Sequence, residues 1–151
     1  MFKGYHGDGS NFVVAWTHAT SSNQYASTDY FVFIAVVPNE GDAPLWTRRM
    51  EFVSSDDEVG LTATGKEIAL VWVSQLNPIS TSVFLQRLNS TGNQIGTVIE
   101  VTDQAPTTCG SPKLAWIGDG YGIVWHDDRT QVGSEVYFAF VGCAQAIPEE
   151  F

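Results

Sequence analysis

Basic residues are scarce in this chain. Seven Lys and Arg stand against seventeen Asp and Glu, a formal net charge of −10 over 151 residues. Such a field repels phosphate backbones and anionic headgroups, which argues against nucleic acid and membrane surfaces as partners. Cysteine is scarcer still, with only Cys109 and Cys143. They form no C-x-x-C pair, so neither a zinc site nor a dithiol motif has support. Two thiols do not make a disulfide scaffold, and both are expected to be free. No run approaches the roughly 18 apolar residues of a membrane helix. The opening MFKGYHGDGS has no apolar core of export-signal length, so the chain reads as cytoplasmic or as a fragment of an exported protein. Helical periodicity is missing throughout. So are G-x-S-x-G and any glycine-rich nucleotide loop.

What is present is apolar and repetitive. Hydrophobic residues are 44% and aromatic residues 13% of the chain, a globular composition. Trp16, Trp72 and Trp125 close three similar phrases, NFVVAW, EIALVW and YGIVW. Seven residues before each tryptophan stands a glycine: Gly9, Gly65 and Gly118. Four before each stands Phe12, Ile68 or Tyr121. A shift of 53 aligns the second and third copies without a gap, pairing Leu61 with Leu114, Val71 with Val124 and Val83 with Val136. The first copy joins them once about five residues are allowed in the loop after Trp16, an internal repeat of about 50 residues.

Each copy reads as consecutive antiparallel strands. A short strand (EVGLTAT, PKLAWI) meets a glycine turn (TGKE, GDGYG), then the tryptophan strand, then YFVFIAVV, VFLQRL or VYFAFV. A second turn leads to WTRRMEFV or GTVIEVT. The tryptophan strands are apolar on both faces. Ile68, Leu70 and Trp72 oppose Ala69 and Val71, and Tyr121, Ile123 and Trp125 oppose Gly122 and Val124. A sheet with two apolar faces must be covered on both. Stacking the large face of each copy on the small face of the next gives a β-propeller with four-stranded blades, all-β in class. The blades fall at about 1–54, 55–107 and 108–151. The third is incomplete, because only GCAQAIPEEF follows Val141 and Pro148 interrupts it.

The wording WHDDRTQVGSEVYFAF resembles bacterial β-propeller repeats of the W-x-D-x-R…[IV]-Y-F-A type, sialidase-like in style. The match is full in the third copy, weaker in the second (WVSQLNPISTSVFLQRL) and partial in the first. The resemblance implies a blade and leaves activity open, because propellers host many functions. A sialidase-like enzyme would need clustered arginines, but Arg48 and Arg49 fall on an outer strand and Arg87 falls late in a third strand. The S-x-D-x-G-x-[TS]-W box is also missing.

Closed propellers have about four to eight blades, so three need a partner. The expected partner is a second copy, giving a homodimer of six blades with both apolar ends hidden; the alternative is that the sequence is a piece of a longer chain. The expected role is a non-enzymatic binding or scaffold module for a polar small ligand, glycan or peptide, with no cofactor. Its ligand would meet the loops after the tryptophan strands (18–27, 74–81, 127–134) and those between blades (54–58, 102–111). Candidate ligand-binding residues are His18, His126, Asp127, Asp128 and Arg129. On an extended chain His126 and Asp128 face one way and Asp127 the other. The copies place His18 and Ser74 level with Asp127, so no ring of like metal ligands is built, and local Asp turn bonds with an Asp–Arg129 contact compete with a ligand role. Asp56-Asp57-Glu58 and the GDG turns at Asp8 and Asp119 lack calcium-loop spacing. Asn89-Ser90-Thr91 fits a glycosylation acceptor and equally a plain turn. The alternative function is a glycosidase-like hydrolase whose acidic site, around Asp127 and Asp128, a partner chain completes.

Overall fold

Glycine turns set the frame. Gly65 and Gly118 adopt φ of 79° and 108°, a region L side chains avoid. Each closes a hairpin sealed by a short backbone bond, Thr64 to Glu67 at 2.9 Å and Ile117 to Gly120 at 3.0 Å. The computed structural model describes residues 2–7, 11–20, 29–40, 43–53, 59–77, 80–102 and 108–143. Asp8, Asp56, Asp57, Glu58 and Pro148 lie outside these residues.

The described chain is all-β, with no helix. Its strands are β1 (Phe2–Gly7), β2 (Asn11–Thr20), β3 (Asp29–Pro38), β4 (Trp46–Val53), β5 (Gly60–Ala63), β6 (Glu67–Asn77), β7 (Ser80–Asn89), β8 (Gln94–Glu100), β9 (Cys109–Trp116), β10 (Gly120–Asp127) and β11 (Glu135–Gly142). They make three antiparallel sheets, each in sequence order: β1-β2-β3-β4, β5-β6-β7-β8 and β9-β10-β11. The loop expected over 74–81 is mostly strand, because β6 runs to Asn77 and β7 starts at Ser80. Likewise β2 carries His18 on to Thr20, and β9 begins inside the expected 102–111 loop.

The sheets stack face to face. Ile68, Leu70, Trp72 and Leu88 of the second sheet pack on Val13, Ala15, Val32, Ile34 and Val36 of the first. Tyr121, Ile123 and Trp125 of the third pack on Ala69, Val71, Val73, Val83 and Leu85 of the second. Each large face thus fills the small face of the sheet before it, so the pairing runs backward along the chain. Each large side chain buried this way contributes about 1.5–3 kcal/mol. The first strands sit side by side, β5 against both β1 and β9. Gly60 permits that approach, since a Cβ there would stand 2.9 Å from Val71 and 3.0 Å from the Pro112 carbonyl. Pro112 is tolerated inside β9 because the register against β10 shifts there, with Ser111 and Pro112 opposite Trp125 alone.

The Asn89-Ser90-Thr91 stretch is a side-chain-capped turn. Asn89 Oδ1 accepts the amides of Thr91 and Asn93 at 3.1 and 2.8 Å. Trp46 Nε1 donates to the Ser90 carbonyl at 3.0 Å, tying the first sheet to the second.

Candidate functional site

The W-x-D-x-R residues form one cluster at the end of β10. Alternation along the strand sends Trp125 and Asp127 inward and His126 outward. Asp127 is fully buried. Its Oδ2 accepts Arg129 Nη2 at 2.6 Å and Nε at 3.0 Å, and its Oδ1 accepts the Arg129 amide at 2.8 Å. Trp125 Nε1 donates to Oδ2 at 3.3 Å, and the Cys109 thiol lies 3.6 Å from the same oxygen. The Arg129 guanidinium also sits 4.1 Å above the Tyr137 ring. Its hydrogen bond to Asp127 raises its pKa further above the ordinary arginine value. A carboxylate held this way is an anchor for the strand end and the turn after it.

The other candidate residues are dispersed. His126 is exposed and its Nδ1 lies 3.1 Å from Ser134 Oγ. Exposed Asp128 accepts the Thr108 amide at 2.7 Å. His18 stands on the outward face of the first sheet, edge-on to Phe33 at 6.1 Å. The structure therefore joins Asp127 to Arg129 and places His18 and His126 on faces at opposite ends of the stack. No group of three or more His, Cys, Asp or Glu among the described residues is arranged to hold a metal ion. Cys109 and Cys143 are both free thiols. The arginines stay apart. Arg48 donates to Asn93 Oδ1 at 3.2 Å, and Arg49 lies 4.7 Å over Phe31.

A second polar cluster was not anticipated from sequence. Arg87 binds Glu67 through Nη2 at 2.7 Å and Nε at 2.9 Å, and Tyr121 donates its hydroxyl to Glu67 at 3.1 Å. The Arg87 hydrogen bond holds the Glu67 pKa below the ordinary carboxylate value. Burial, then the neighbouring Glu67 charge, pushes the Tyr121 phenol well above its ordinary value. The only sequence signal is Tyr121 itself, a polar-tipped ring where the other copies have Phe12 and Ile68.

Comparison with family models, with curated proteins and with solved structures gives no match. No helix of the described residues is long and apolar enough to cross a membrane.

Proposed function

We propose that this chain is a binding or scaffold module, half of a six-bladed β-propeller that a second copy completes. One observation carries the reading. Large-on-small packing occurs twice inside the chain, and no described strand covers the complementary faces of a third such contact at the two ends. At one end the first sheet turns out Phe12, Val14, Trp16 and Phe33, all half-buried. At the other, the third sheet turns out Val124, Val136, Phe138 and Phe140, which are 39, 79, 63 and 50% exposed. A second copy related by a two-fold along the stack's ring axis would bring each open large face onto an open small face and leave no end. The loop after β10 (128–134) then lies at one rim, where its polar side chains suit a glycan or peptide.

The hydrolase reading has less support, because Asp127 already holds Arg129 with both carboxylate oxygens engaged. Light scattering tests assembly: the expected mass is twice 16.5 kDa, and Phe138→Asp should halve it without loss of β signal. A folded wild-type monomer at micromolar concentration would overturn the ring. Glycan and peptide arrays test the module, and glycoside turnover abolished by Asp128→Asn would replace it with an enzyme.

A further inference from the structure

The large face of the second sheet carries a cleft of about 370 Å³, lined by Trp72, Ser74, Phe84, Val98 and Glu100. Trp72, Phe84 and Glu100 stand in one row across β6, β7 and β8. The Trp72 and Phe84 rings stack with centroids 6.0 Å apart and planes 24° apart. Ser82 Oγ holds Glu100 Oε1 at 2.8 Å. Among the described residues no cation pairs with Glu100.

The third sheet shows what such an arrangement takes. Trp125 and Tyr137 occupy the same two positions, stacked at 6.1 Å and 23°. There the chain's own Arg129 lies 4.1 Å over the Tyr137 ring and donates to the Asp127 carboxylate. The second sheet keeps the ring pair and keeps a carboxylate, now Glu100 from β8 in place of Asp127. It lacks the arginine: four residues after Trp72 the sequence has Leu76, where Trp125 is followed by Arg129.

We propose that this cleft binds a guanidinium group carried by an arginine. The planar cation stacks on the Phe84 face and donates to Glu100, as Arg129 does to Tyr137 and Asp127. A net charge of −10 favours the approach of a cationic ligand. The cleft lies on the middle sheet, so it stands or falls separately from ring closure.

The test is titration of the full chain with N-acetyl-arginine amide, followed by amide and indole proton–nitrogen spectra. The Trp72 indole signal is identified by its loss in Trp72→Phe. The Trp72 indole and the Phe84 and Glu100 amides should shift saturably. The citrulline amide, equal in shape but neutral, should not move them, and the lysine amide should bind more weakly. Glu100→Gln should weaken binding about five- to tenfold, the size of a partly exposed ion pair with a ring contact. Phe84→Leu should do the same while the spectrum keeps its dispersion. Free arginine binding more tightly than the amide would support the guanidinium site and assign it to a small molecule rather than a peptide. Equal binding of citrulline amide, unchanged affinity in Glu100→Gln, or no saturable shift would overturn the proposal, whatever the oligomeric state.

Discussion

The second and third sheets carry the same pattern and meet different surroundings. Val71, Val83 and Leu85 are fully buried, while their repeat equivalents Val124, Val136 and Phe138 are 39, 79 and 63% exposed. The difference is not in the strands. Both middle strands alternate large and small apolar residues, and both large faces are covered. It lies in the neighbours: the second sheet has the third against its small face, and the third has no described neighbour there. Sequence patterning therefore encodes a requirement for cover, and the described residues meet that requirement at two contacts between sheets. Isolated apolar residues on a surface are ordinary, but a whole sheet face of them signals an interaction.

The contrast between covered and open faces predicts unequal costs for one substitution. Trp125 is 5% exposed inside the contact between the second and third sheets. Trp125→Ala should cost about 3–5 kcal/mol by urea denaturation, as large-to-small core changes do. Trp16 stacks on Phe33 at 5.5 Å on the open face, so Trp16→Ala should cost the single chain about half as much. Equal losses measured in a monomeric background would erase the distinction between the two ends.

The next largest effect concerns Asp127. The buried carboxylate binds Arg129 and Trp125 at once, so Asp127→Asn turns an amide nitrogen or a weaker acceptor toward a guanidinium. The Arg129 side chain is 25% exposed and can recover part of its solvation. The expected loss is about 2–3 kcal/mol, below that of a wholly enclosed pair. A neutral outcome would mean that the cluster is not an anchor, and would reopen Asp127 as a ligand for something outside the chain.

Much of this architecture was legible in the sequence. Glycine turns and two-faced tryptophan strands gave both the strand order and the alternation of large and small faces. An Asp–Arg129 contact was also readable, because Asp127 and Asp128 immediately precede the arginine; that Asp127 makes it follows from the strand alternation that turns this residue inward. The extension of β6 through Ser74 and Gln75 was not, because polar residues at a strand end look like loop until the partner strand is known. The Glu67–Arg87–Tyr121 cluster joins positions 20 and 54 residues apart. Its first pair needs the β6–β7 register, and its second needs the stacking of two sheets, which no local pattern contains. The row of Trp72, Phe84 and Glu100 was hidden for the same reason.

That long-range cluster gives the smallest and most selective prediction. Glu67 is held by Arg87, so its pKa lies lower in the folded chain than in the unfolded one. The sign follows from linkage: the unfolded state binds the proton first as pH falls, so the contribution of Glu67 is present above the ordinary carboxylate value, roughly pH 4.3, and disappears as pH drops through the folded value. The Glu67 and Arg87 side chains are 26 and 21% exposed, and solvent screening limits the pair to about 0.5–1 kcal/mol. The difference in unfolding free energy between the wild type and Glu67→Gln isolates this group from the other acids. It should be flat from neutral pH down to about pH 5 and shrink below it. A protonated Glu67 can still accept the Tyr121 hydroxyl, so a small difference between the wild type and Tyr121→Phe should survive at acid pH. A difference that grows on acidification would show that Glu67 is stabilised in its protonated form, with burial rather than Arg87 as the governing influence.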